Sequence, residues 1–113
     1  MNGFFTKLVG VTFTNEDGSN RQDILREIFD NFDPDVKIFL KAKRETDNPY
    51  DPKAVAIFTE DDRQLGYLSR KVNETVAPWL DEGWGLLVEI VSVNGDEGYV
   101  GINIWIERTR KIA

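Results

Sequence analysis

The sequence predicts a mainly β domain with two helices, its six strands closed into a small barrel. Three observations carry this. Runs of alternating or β-branched residues recur between turn signals six times along the chain. Two further stretches repeat apolar residues at i and i+4, the helical spacing. Six short strands within 113 residues hide their edges most economically by closing on themselves.

Thr6 to Phe13 reads as the first strand, with Leu8 and Phe13 among its apolar members and Gly10 marking a bulge or close backbone approach. Asn15 to Asn20 is a polar loop. A helix follows, with Ser19 or Asn20 as N-cap and Asp23 in its first turn. Ile24, Ile28 and Phe32 repeat along it, Leu25 and Phe29 widen the stripe, and Asp33-Pro34-Asp35 ends it. Val36 to Lys43 alternates, placing Val36, Ile38, Leu40 and Ala42 on one face and Lys37, Phe39, Lys41 and Lys43 on the other. Ala54 to Phe58 is a short apolar strand, joined through Glu60-Asp61-Asp62-Arg63 to Leu65–Leu68. Ser69 caps a second helix lined by Val72, Val76, Trp79 and Leu80, in which Pro78 should kink or shorten the C-terminal end. Leu86–Val93 and Tyr99–Ile106 form a hairpin across Asn94-Gly95-Asp96-Glu97-Gly98. Arg108, Arg110 and Lys111 make a short basic tail. The whole reads as one domain over residues 1–113, with its core at about 7–106 and the tail at 107–113.

Composition narrows the chemistry. There is no Cys and no His, which removes disulfides, thiol chemistry, His-based triads and the usual zinc, copper and haem sites. No cofactor or metal is expected. No apolar run reaches membrane-spanning length and no leader precedes the domain, so the expected location is the cytoplasm. The net charge of −6 opposes non-specific duplex binding, although a local basic patch can act against it. Asp47 with Asp51, Asp61 with Asp62, and Asp81 with Glu82 are the adjacent acids; in turns such pairs are ordinarily solvated. Gly-x-Ser-x-Gly, P-loop and dinucleotide signatures are missing, so no enzyme activity is expected.

The segment Arg44 to Phe58 is the most informative. Asn48-Pro49-Tyr50-Asp51-Pro52 is a rigid corner: each proline fixes its own φ and restrains the residue before it. Asp47, Asn48 and Asp51 can accept nearby backbone N–H groups and stiffen it further. Tyr50 on such a corner meets a ligand with little loss of entropy; as a plain loop residue it would lie on the core edge. The face of Lys37, Phe39, Lys41 and Lys43 suits a single-stranded nucleic acid, with charges along phosphates and a ring under a base. A solvated edge that discourages aggregation has the same composition.

These residues come in a recognisable order. Leu8-Val9-Gly10-Val11-Thr12-Phe13 leads, followed by Asn20-Arg21-Gln22 and Ile24-Leu25, then Asn48-Pro49-Tyr50-Asp51 with Ala54-Val55. Gln64-Leu65-Gly66-Tyr67-Leu68 and Val100-Gly101-Ile102-Asn103-Ile104 complete the set. From about Lys7 to Ile106 the chain resembles the HIRAN domain, a β-rich module found before certain DNA-remodelling helicases and free-standing in bacteria. The resemblance implies an SH3-like or OB-like barrel with helices packed outside. It implies a grip on the 3′ end of single-stranded DNA, in a DNA-repair setting, with the end base between aromatics and an acid on the terminal hydroxyl. Carried across, Tyr50 and Phe13 are stacking rings, Asp51 the hydroxyl acceptor, and Asn48 a brace for the turn or the sugar-phosphate. Tyr67 and Arg70 lie on the phosphate side. Thr12 stands where DNA-gripping members carry an arginine. The implied partners are single-stranded DNA or RNA and a helicase or nuclease on another chain. The alternative is a protein-interaction or assembly module that has lost DNA binding, for which Trp79, Trp84 and Trp105 would supply anchors if they are not core residues.

Overall fold

A computed structural model of the chain describes residues 3–95 and 98–112. The elements run β1 (Gly3–Lys7), α1 (Arg21–Asp30), β2 (Phe39–Glu45), β3 (Ala54–Phe58), β4 (Gln64–Tyr67), α2 (Arg70–Asp81), β5 (Trp84–Asn94) and β6 (Gly101–Lys111). The strands form one antiparallel sheet in the order β1-β6-β5-β2-β3-β4. β2 turns the corner of this sheet. Its Phe39 and Leu40 pair with β5, and its Lys41 to Glu45 pair with β3. The sheet curls until its two ends meet at one bridge, where Val9 and Tyr67 exchange N–H···O bonds of 2.9 Å each way. The expected six-stranded barrel is therefore present, as a curled sheet with a narrow seam.

The interior is filled from alternate positions. Ile102, Ile104 and Ile106 on β6, Val55 and Ile57 on β3, and Leu25 on α1 are fully buried, as the period of two in strands requires. Asn20 caps α1, its side chain accepting from Gln22 N, and Ser69 caps α2, accepting from Val72 N. Both caps are of the residue types that satisfy orphan helix N–H groups. α2 runs through Pro78 to Asp81, so the proline does not shorten it; it forfeits one backbone bond near the end of the helix.

Several strand boundaries differ from expectation. The first strand ends at Lys7, because Gly10 turns the chain at φ +66°, and Phe13 lies in the following loop. The second begins at Phe39: Asp33 accepts from Asp35 N and Val36 N, which holds 34–36 in a turn and leaves Val36 exposed. Lys37 thus precedes the strand. β5 starts at Trp84, and β6 continues to Lys111 through a Trp84–Lys111 pairing. Arg108, Arg110 and Lys111 of the expected basic tail are therefore strand, and Arg108 stacks 4.0 Å from the Trp84 ring centroid. Of the last hairpin, Asp96 and Glu97 lie outside the described residues.

Candidate nucleic-acid interface

The corner after β2 is held by its own side chains. Asn48 Oδ1 accepts from Tyr50 N at 2.8 Å and Asp51 N at 3.1 Å, the local bonding that makes Asn a turn residue. The first turn of α2 grips the corner from the other side. Arg70 donates to the Tyr50 carbonyl at 2.7 Å, and Asn73 Nδ2 donates to Asp51 Oδ2 at 2.9 Å. Asp51 Oδ1 accepts from Lys53 N at 2.9 Å. The result is an exposed ring on a fixed backbone: Tyr50 is 83% exposed.

Asp51 remains an acceptor. The hydrogen bond from Asn73, then that from Lys53 N, with the nearby Arg70 and Lys53 charges, hold its carboxyl below the usual carboxylate value of 3.8. Among the described ion pairs none involves Asp51.

On the inner side of the corner, Glu45 joins two expected residues. Its Oε1 accepts from Asn48 Nδ2 at 3.1 Å and from the Tyr67 hydroxyl at 2.8 Å. Burial, followed by the Glu45 contact, raises the Tyr67 phenol above 10.0. The Arg21 guanidinium lies 5.4 Å from the Tyr67 ring centroid, donating to Asn15 Oδ1 at 2.7 Å and the Gly10 carbonyl at 2.8 Å. Phe13 approaches the same point: a Cβ on Gly10 would meet the Phe13 and Tyr67 rings at 3.6 Å each. Phe13 itself is 64% exposed.

Tyr67 is thus linked through Glu45 to Asn48, and Asn48 to Asp51 and Tyr50 and so to Arg70, while Phe13 joins them through Arg21, whose N donates to the Phe13 carbonyl at 3.3 Å. Three members were not anticipated at this site: Glu45, Arg21 and Asn73. Arg21 places a cation beside Phe13 and Tyr67, close to where Thr12 supplies none. For Glu45 the available signal was strand alternation, which puts it on the face of Lys41 and Lys43. Asn73 and Arg21 had no such signal, since each contacts residues distant in sequence.

The basic face is partly retained. Phe39, Lys41 and Lys43 project outward from β2 and lead to Glu45 at the corner. Lys41 is paired with Asp62, which removes one cation, and Lys37 stands exposed ahead of the strand. A groove of about 340 Å³ runs between Lys41, Lys43 and Phe58. A larger one, about 600 Å³, opens on the Gly10 side between Val9, Thr12 and Tyr99; Tyr50 does not line it. Of the other paired acids, Asp61 is engaged by Thr59 and Arg63, Asp62 by Lys41 and Asp81 by Arg44. No cluster of three metal-ligating side chains exists among the described residues.

Comparisons with known proteins bear on the family and the fold. A family model described as the HIRAN domain matches residues 3–109. Among solved structures, the HIRAN domain of human HLTF shares 13% identity at a TM-score of 0.68, covering 97% of this chain and 77% of that one. A protein from Lactobacillus plantarum shares 20% identity at a TM-score of 0.67, covering 93% of this chain and 92% of its own. At these identities the structural likeness concerns the fold. No curated protein matches.

Proposed function

Because the chain belongs to the HIRAN domain family, known for DNA binding, we propose that it is a non-catalytic module that grips single-stranded DNA at a 3′ end. Tyr50 and Phe13 stack on terminal bases, Asp51 accepts from the terminal hydroxyl, Asn48 braces the corner, and Tyr67 and Arg70 face the phosphates. One observation carries this reading: an exposed ring stands next to a carboxylate that is fixed by neutral donors and, among the described residues, forms no ion pair.

The physical logic is selection by charge. A carboxylate repels an internal phosphate but accepts a hydrogen bond from a terminal hydroxyl, so an end is favoured over the middle of a strand. Stacking adds about 1–3 kcal/mol per base without demanding a sequence. Beyond the pocket, Lys43, Lys41 and Phe39 continue the path of the strand along β2, with Lys37 at its far end. A helicase or nuclease on another chain, in DNA repair, would use the captured end. The described helices include none long and apolar enough to cross a membrane.

Fluorescence polarisation with 5′-labelled oligothymidylates ending in a 3′-hydroxyl or a 3′-phosphate tests this. Tighter binding of the hydroxyl end is expected. Equal affinities, or no binding at low salt, would overturn it.

One observation favours the alternative, an assembly module. The register Phe5–Trp105–Glu89–Phe39 crosses four strands on the outer face, with Phe5 68% exposed and its ring 4.7 Å from that of Trp105. Exposed aromatic rows anchor protein interfaces. Light scattering that rises with protein concentration, together with no response to oligonucleotide, would select this reading.

A further inference from the structure

Asn73 lies one turn inside the Ser69 cap of α2 and is 2% exposed. Its Nδ2 donates to Asp51 Oδ2 at 2.9 Å, and its Oδ1 has no hydrogen-bond partner among the described residues. A buried amide oxygen left without a donor is costly. The opposite rotamer would set that oxygen against the Asp51 carboxylate, acceptor against acceptor, and is worse. Asn73 is therefore held in one orientation by the charge of Asp51, at the expense of its own carbonyl.

The geometry does the reverse as well. Asp51 accepts one bond on each oxygen, from Asn73 and from Lys53 N. Each carboxylate oxygen has a second lone pair, so both retain capacity for a donor from a ligand. The charged groups acting on Asp51 are Arg70, from α2, and Lys53, from its own turn. Neither cation is bonded to it, and its orientation comes from the two neutral N–H donors. Of these, Lys53 N is a backbone group fixed by the turn, whereas Asn73 reaches across from the helix.

We propose that Asn73 is the positioning residue that sets the end selectivity of the site, by holding Asp51 as an ionised, fixed acceptor for a terminal hydroxyl. The proposal rests on the reading of the preceding subsection and assigns its selectivity to a side chain that need not touch the ligand.

The test compares the wild type with Asn73→Ala and Asn73→Asp. The Asp51 carboxyl is followed by NMR titration, and affinities for oligothymidylates with 3′-hydroxyl and 3′-phosphate ends are measured from about pH 4.5 to about pH 8, where thymine does not titrate and wild-type Asp51 stays ionised. Amide spectra establish that each variant is folded. In Asn73→Ala, Asp51 titrates higher than in the wild type and the hydroxyl-over-phosphate preference falls by about tenfold, the loss expected for one charge-assisted hydrogen bond. In Asn73→Asp, two carboxylates share the site and one holds its proton to a higher pH. Affinity for the hydroxyl end is then weak at neutral pH and recovers on acidification, when the shared proton restores a donor opposite Asp51. A residue that merely fills space would give no such pH profile. Wild-type selectivity that survives unchanged in Asn73→Ala, with an unshifted Asp51 titration, overturns the proposal and leaves the end-binding reading intact. A wild type without hydroxyl preference overturns that reading first.

Discussion

At the scale of single residues, the proposed role of the corner predicts that binding and stability separate there. Tyr50 is 83% exposed and its backbone is held by other groups, so Tyr50→Ala should weaken oligonucleotide binding by about 1–3 kcal/mol. Its urea midpoint should move by no more than a surface substitution does, about 0.5 kcal/mol. Fluorescence polarisation and urea unfolding check the two halves. The acids make a second prediction. Hydrogen bonds hold the Asp17, Asp51 and Asp61 carboxyls below 3.8 in the folded chain. Each lowered value contributes stability that is complete above 3.8 and is lost as pH falls through the folded values. Urea midpoints should therefore hold steady above that point and decline below it, less so in Asp51→Asn. Tyr67 acts at the other end: its raised phenol favours the folded state below 10.0, and that contribution fades in stronger base. The rigid corner that carries Tyr50 and Asp51 was legible in the sequence because Asn48 and the prolines that fix it are near neighbours. Glu45 and Asn73 were not, because their partners Tyr67 and Asp51 lie 22 residues away in each case.

At the scale of elements, α2 is the arm that steadies the corner. Its first turn carries both Arg70 and Asn73, and Ser69 caps it by accepting from Val72 N at 3.2 Å. Ser69→Ala should cost about 0.5–2 kcal/mol of stability and also weaken end binding, because the fraying turn is the one that holds the corner. Calorimetry alongside the binding assay detects the coupling; a loss of stability with unchanged affinity contradicts it. α1 has a different part. Gln22 bonds the Val11 and Val100 carbonyls and Val100 N, and Leu25 is fully buried, so the helix is fastened to the sheet by polar and apolar contacts alike. Leu25→Ala should cost about 2–5 kcal/mol, measured by urea unfolding. Helices were easier to read than strand limits. Caps and apolar periodicity are local signals, and both N-termini fell where Asn20 and Ser69 indicate. Strand limits depend on which neighbour supplies the ladder, so the pairing of Trp84 with Lys111 leaves no mark in either segment alone.

At the scale of the molecule, the net charge of −6 shapes the salt response. With few free cations along the path, raising salt should weaken end binding by less than the slope of about −0.7 per neutralised phosphate would give for a long basic groove. Titrations at several ionic strengths measure this directly. The sequence also conveyed that the strands should enclose a core, but not how narrowly the wall would be joined. That join is the Val9–Tyr67 bridge, and Gly66 beside it has no room for a side chain, since a Cβ there would lie 2.5 Å from the Val9 carbonyl oxygen. The same residue that fastens the wall through its backbone presents its phenol to Glu45 and its ring to Arg21. A nucleotide seated there would act as a rivet, and the amide protons of Val9 and Tyr67 would become a gauge of occupancy. They should exchange with deuterium sooner than those of the β5–β6 ladder in the free protein, and more slowly once a DNA end is captured.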